Sequence, residues 1–129
     1  MEGIILAFDF GLKRIGVAIG STLLKTARPL TIIHGESNSV RFNAIEALIR
    51  EWQPVGLIVG LPLHADGTEH EMTKRCRRFA NQLTGRFNIS ATLVDERYSS
   101  SVLNVQDGQA DDALAASLIL QQFFHESTT

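Results

Sequence analysis

Two rhythms alternate along this chain: short apolar runs of strand type, and apolar stripes that recur every three or four residues. Ile4–Phe10 reads as a buried strand and Ile15–Ile19 as a second, joined by a tight Gly11–Arg14 turn, so the two predict a hairpin. Ala27–Ile33 is a third short strand opened by Arg28 and Pro29, a place where proline suits a strand start or a sheet edge. Ser37, Asn38 and Ser39 supply N-cap candidates for a helix. That helix carries Phe42, Ile45, Leu48, Ile49 and Trp52 at helical spacing and is closed by Pro54.

Val55–Val59 is a further strand of the buried type, followed by a loop, GLPLHADGTEH. A long helix is expected from about Thr68 to Arg86, with Met72, Cys76, Phe79, Leu83 and Phe87 on one stripe. Thr68 and Glu71 match the Thr-x-x-Glu capping box. Ser90–Val94 is the last strand. A short helix over Ser99–Val105 and a turn at Asp107-Gly108 follow, and an apolar helix from Asp111 to about His125 should pack on a sheet. Three consecutive strands and then α-β-α-β-α predict a single mixed α/β domain over residues 1–129. An antiparallel meander of five strands' first three is extended by parallel crossovers. Sheets of this kind bind ligands beyond the carboxyl ends of their parallel strands. The places to look are therefore just after Phe8, Val59 and Val94.

Composition sharpens this only in part. Hydrophobic residues make up 44% of the 129 and charged ones 20%, which supports a packed core and argues against disorder. The net charge of −2 gives no global basic signal for nucleic acid, so any such contact must come from a local patch. A lone cysteine, Cys76, excludes an intrachain disulfide framework and fits a reducing compartment. The apolar runs are too short for a membrane span, and the start of the chain has no basic n-region. Cytoplasmic location is expected.

Carboxylates carry the candidate chemistry. Asp9 interrupts an apolar run near the end of the first strand, Asp95 and Glu96 end the last strand, and Asp111 and Asp112 open the final helix. An isolated buried carboxylate is costly and normally neutralises or finds a partner. Acids converging on one crevice would repel each other and call for a cation, and oxygen ligands favour Mg²⁺ or Mn²⁺. Two such ions about 4 Å apart suit phosphodiester cleavage by water. Taken singly, each acid also has a structural explanation: Asp9 as a turn residue, Asp111 or Asp112 as a cap or first-turn acid, and Glu96 as a partner of Arg97.

Basic residues lie close to these acids. Lys13 and Arg14 flank the first strand end and could meet a substrate phosphate, or simply be a solvated turn. Lys74, Arg75, Arg77 and Arg78 fall on the flanks and outer face of the long helix, a solvated face or a surface for backbone phosphates. Arg97 could hold phosphate in a fork or pair with Asp95. Gly11 is expected to give the turn a positive φ, and Gly60 to let backbone approach closely. His64 and His70 read as exposed loop residues, and Cys76, Trp52 and the phenylalanines as core.

The segments AFDFGLKRIGVAIG, ARPL, VGLPLHADGTE, DERYS and DDALAASLILQQFF occur in the order seen in the YqgF (RuvX) family of pre-16S rRNA nucleases, also described as Holliday-junction-resolvase-like. The chain resembles that family over nearly its whole length. The resemblance implies an RNase H-like fold and a catalytic, metal-holding set of Asp9, Glu96 and Asp112. Asp112 is taken over Asp111 because the family's acid precedes an x-x-Ala-Ala pattern. It further implies Mg²⁺ or Mn²⁺ as cofactor and structured RNA or branched DNA as partner, with Lys13, Arg14, Lys74, Arg78 and Arg97 as substrate-binding residues. One departure stands out. Only fifteen residues separate Glu96 from Asp112, and none after Arg97 is basic, whereas members usually carry a longer helix and a basic loop there. Substrate grip is what this shortening affects. Two other functions compete with this one. An actin-like or sugar-kinase-like ATPase is suggested by the Asp-x-Gly strand-turn-strand at Asp9–Gly16, but that fold needs two such domains. A non-catalytic module binding RNA or a ribosome-maturation partner would gain nothing from clustered acids.

Overall fold

A computed structural model describes residues 2–62, 66, 68–95 and 112–127. In chain order the elements are β1 (Ile4–Phe10), β2 (Arg14–Ser21), β3 (Thr26–His34), α1 (Asn38–Trp52), β4 (Gly56–Leu61), α2 (Glu71–Phe87), β5 (Ala91–Asp95) and α3 (Asp112–Ser127). The strands form one mixed sheet in the order β3-β2-β1-β4-β5. β1, β2 and β3 pair antiparallel, and β4 and β5 add in parallel, as the meander-then-crossover pattern predicts.

Strand alternation sorts the core into two layers. Leu6, Phe8, Val17, Leu57 and Val59 face α1 and α2, meeting Phe42 and Ile45 from the first and Cys76, Phe79 and Leu83 from the second. Ile5, Ala7, Ala18, Ile58 and Val94 face α3 and meet Ala116, Ile119, Leu120 and Phe124. Asp9 continues the Ile5–Ala7 series, so it belongs to the face that α3 covers. Among the described residues no helix is long and apolar enough to cross a membrane.

Close approach of α3 to β2 depends on small residues. A Cβ on Gly16 would lie 1.9 Å from the Asp112 carbonyl oxygen, and one on Gly20 would lie 2.8 Å from Leu120 Cδ2. The helix from Asp112 to Leu120 rises about 12 Å and the strand from Gly16 to Gly20 about 13 Å. Helix and strand therefore run side by side in one direction, and α3 begins where β2 begins. At that same end lie the last residues of β1, β3, β4 and β5, because Phe10 pairs with Ile15, Arg14 with His34, Phe8 with Val59, and Leu61 with Asp95. Since α1 follows β3 and α2 follows β4, all three helices start at one rim. Their partial positive N-terminal ends gather there.

Several boundaries differ from expectation. β4 runs one residue later at its start and on through Gly60 to Leu61, so the first part of the expected loop is strand. α2 begins at Glu71 instead of Thr68, because Asp66 Oδ1 already accepts from the Thr68 backbone N–H (3.0 Å) and hydroxyl (2.7 Å). The cap is His70: its Nδ1 accepts from the Met72 N–H, and its own N–H donates to Thr73 Oγ1. His70 is thus a half-buried capping residue and not an exposed loop histidine. Gly11 does not have the expected positive φ; among the described glycines only Gly35 does. Glycine is required at position 11 because a Cβ would stand 2.6 Å from the Arg14 carbonyl oxygen. Pro29 sits on the edge strand β3, beside a register shift opposite Val17 and Ala18. The expected Ser99–Val105 helix and Asp107-Gly108 turn lie outside the described residues, as do His64 and Asp111.

Two glycine substitutions separate these effects. Gly16→Ala should lower stability by about 1–3 kcal/mol, since backbone must move to admit the methyl. Gly85→Ala, with nothing within 4 Å of the added carbon in the interior of α2, should be neutral or stabilise by up to about 1 kcal/mol. Urea denaturation midpoints measure both.

Candidate active site

Asp9 and Gly16 are directly paired across the β1–β2 ladder, and the space a Gly16 side chain would fill is taken by the Asp112 backbone. Two carboxylates a hundred residues apart in sequence are thereby brought to one point on the rim. Burial, and after it the Asp112 carboxylate, push Asp9 up to about 7. Asp112 is held from the other side by Arg14, whose Nε lies 2.9 Å from Oδ2. Arg14 stands two residues before Gly16 on β2, so one strand supplies both the gap for α3 and the cation that orients its first acid.

The donor set fits a divalent cation. Asp9 and Asp112 are hard oxygen ligands, Asp9 is largely withdrawn from solvent, and the pair carries more negative charge than Arg14 balances. Among the described residues no group of three or more His, Cys, Asp or Glu side chains is gathered as a metal site. Glu96, the expected third acid, and its neighbour Arg97 lie outside the described residues. Asp95 ends β5 at the same rim, where its carbonyl accepts from Gln122 Nε2 of α3 at 2.7 Å.

The expected basic residues divide. Lys13 is exposed in the β1–β2 turn beside the acid pair. On α2, Lys74 is exposed, Arg77 pairs with Glu69 at 2.7 Å and Arg75 with Glu71 at 3.5 Å. Arg78 faces a cavity between α1 and α2, away from the acids across the sheet. Sequence reasoning missed Arg41, which is only 5% exposed. Its guanidinium donates to the carbonyls of Leu12 (3.0 Å) and Gly11 (2.5 Å) and lies 4.7 Å over the Phe10 ring. It thus fixes the turn that follows Asp9 and precedes Arg14. The signal was present: Arg41 shares a helical stripe with Ile45, Leu48 and Trp52, where a cation is out of place.

Residues 3–126 match the family model described as RuvX: Holliday junction resolvase. A protein of Paraburkholderia xenovorans named "Putative pre-16S rRNA nuclease" is 55% identical over 128 residues, covering 95% of this chain and 88% of the relative. One from Ralstonia pickettii with the same name is 53% identical over 130 residues, 98% of this chain and 90% of its own. Among solved structures, T. thermophilus RuvC in complex with a Holliday junction substrate superposes with a TM-score of 0.60 at 13% identity, covering 98% of this chain and 96% of that one. The fowlpox virus Holliday junction resolvase gives 0.56 at 16%, covering 98% and 99%. At those identities the structures establish a shared resolvase-type RNase H-like fold.

Asp9 also sets a pH dependence. Its folded-state value is raised above the ordinary carboxylate range, so the folded protein binds more protons than the unfolded chain between about pH 4 and about pH 7. In metal-free buffer, stability should therefore fall as pH rises through that window. Asp9→Asn should flatten that fall. Denaturant midpoints at pH 4.5 and 7.5, for both proteins in EDTA, measure the difference.

Proposed function

The chain belongs to the RuvX family of Holliday junction resolvases, and from that premise we propose that it is a metal-dependent nuclease hydrolysing phosphodiesters in structured RNA. On this reading it processes the 5′ end of pre-16S rRNA in the cytoplasm. The observation that carries the reading is the convergence of Asp9 and Asp112 at the rim, with Asp9 half-buried and raised in pKa. The relatives' names, at more than 50% identity over nearly the whole chain, support rRNA as the substrate. The family description favours branched DNA as a second substrate class.

Asp9, Glu96 and Asp112 would hold Mg²⁺ or Mn²⁺. When bound, the ions supply charge stabilisation for the phosphoryl oxygens and a lowered pKa for water. The chain's own residues do the positioning. Asp9 presents a carboxylate from a rigid central strand, and Arg41 pins the turn behind it through the Gly11 and Leu12 carbonyls. Arg14 orients Asp112. Lys13, Arg14, Arg97, Lys74 and Arg78 would steer and hold backbone phosphates, aided by the positive ends of three helices. In the reaction a water oxygen forms the new bond to phosphorus, the P–O bond to the leaving nucleotide breaks, and the departing oxygen takes up a proton.

Labelled precursor RNA and a four-way DNA junction, each with Mg²⁺, Mn²⁺ or EDTA, test this directly. Cleavage should require the divalent ion, and Asp9→Asn and Asp112→Asn should each reduce it by about two orders of magnitude or more. Cutting that persists in EDTA or in Asp9→Asn overturns the mechanism. Preference for the junction over the RNA overturns the substrate assignment alone. Binding without any cleavage points to the non-catalytic module.

A further inference from the structure

Across the sheet from the acid pair, α1 and α2 enclose a cavity of about 180 Å³ lined by Phe10, Asn38, Arg41, Phe42, Arg75, Arg78, Phe79 and Gln82. Three of these are arginines, two are amides and none is acidic. We propose that this cavity is a second binding site for the substrate: a subsite that grips a phosphate of the nucleic-acid backbone on the opposite face of the rim from the cleavage centre. The proposal rests on the nuclease reading and adds where the substrate is held beyond the scissile bond.

Arg41 anchors the cavity. It is buried, yet two of the five N–H donors of a guanidinium account for its hydrogen bonds to Gly11 and Leu12. The remaining donors have no partner among the described residues. Burial lowers its pKa, a cost that a bound anion offsets. Arg78 has no ion-pair partner among the described residues, and Arg75 is only loosely held by Glu71 at 3.5 Å. Phe10, Phe42 and Phe79 form a tilted aromatic floor, with Phe10 and Phe79 centroids 4.8 Å apart, and the Arg41 guanidinium lies over the Phe10 ring.

A second observation is independent of the arginines. Asn38 is the first residue of α1, whose cap Ser37 has its hydroxyl bonded to that of Ser39 at 3.0 Å and to no backbone N–H of the helix, and whose first turn contains no acid. The fifteen-residue α1 therefore presents its positive end to the cavity with no acid in its first turn, Glu36 lying before the cap, an arrangement that suits phosphate. Placement selects nucleic acid over a free anion. Phe10 is the residue after Asp9, their Cα atoms about 3.8 Å apart, with side chains on opposite faces of the sheet. A strand lying over the rim thus meets the acids with one phosphate and the arginine cavity with another. This grip does not depend on the short segment between Glu96 and Asp112, which carries no basic residue after Arg97.

The test measures binding by fluorescence anisotropy of labelled structured RNA in EDTA, where nothing is cut. Arg75→Ala/Arg78→Ala should weaken binding about tenfold and reduce the slope of log affinity against log salt by about 0.7–0.9 for the phosphate lost. Arg28→Ala/Arg50→Ala, with the same change in net charge, should keep the slope. Arginine Nε–H resonances of the wild-type chain should shift saturably on titration with inorganic phosphate, and in the first double variant the Arg41 shift should need about tenfold more phosphate. Thermal melts confirm that each variant is folded. An unchanged slope in Arg75→Ala/Arg78→Ala overturns the proposal, even if inorganic phosphate binds, because the cavity is then a small-anion site. An equal fall in the Arg28/Arg50 control overturns it as well. The outcomes are separable from the nuclease reading: salt-dependent binding through the cavity without cleavage defeats that reading and leaves the subsite, and metal-dependent cleavage with an unchanged slope does the reverse.

Discussion

A side chain missing from Gly16 is the constraint on which this molecule's chemistry rests. Only a position without a Cβ lets the first turn of α3 lie against the sheet, and only that contact sets Asp112 beside Asp9. The same strand extends the arrangement in both directions. Arg14 pairs with Asp112 at one end, and Ala18 and Gly20 keep the helix flat along the rest of its length. A backbone contact, not a hydrogen-bond network, thus fixes the acid pair. Two carboxylates held this closely, one of them out of solvent, oppose folding through desolvation and repulsion. A positive charge beside the pair relieves both costs, as the Arg14 guanidinium does in part.

The overall charge of −2 conceals how charge is arranged. Three helices open at one rim, and their partial positive ends lie there together with Lys13, Arg14 and the arginines of the α1–α2 cavity. A polyanion approaching this edge meets a favourable local field although the chain as a whole repels it. The acid pair lies inside that field, which explains how a site designed around carboxylates coexists with a nucleic-acid partner.

Much of this was legible in the sequence. β1 is bounded as its apolar run predicts, and the five strands and the helices over Phe42–Trp52, Met72–Phe87 and the Ala-rich tail follow the periodicity closely. Asp9 drew attention because it breaks a strand pattern, and the family resemblance singled out Asp112. The rest lay beyond local pattern. The start of α2 was misplaced because Thr68 is engaged by Asp66 and because histidine is not a favoured cap, so His70 gave no signal. Local pattern marks Gly11 as a conformational glycine, whereas it answers a steric demand from Arg14. Arg41 stands out on an apolar stripe, yet only the tertiary structure shows the two carbonyls it serves. The separation of Arg78 from Asp9 by the thickness of the sheet depends on strand register, which single-sequence reading does not provide. Glu96 and Arg97, read from the end of the last strand and from the resemblance, lie outside the described residues.

The outermost strand has a consequence of its own. β3 carries Pro29 and an irregular step in its pairing with β2, so its free side lacks one amide donor and is bent out of a regular ladder. Such a border resists the docking of another extended chain. Lateral growth of the sheet into a shared ribbon with a second molecule is blocked on that side. The sheet is in this way guarded against unwanted strand capture along that border.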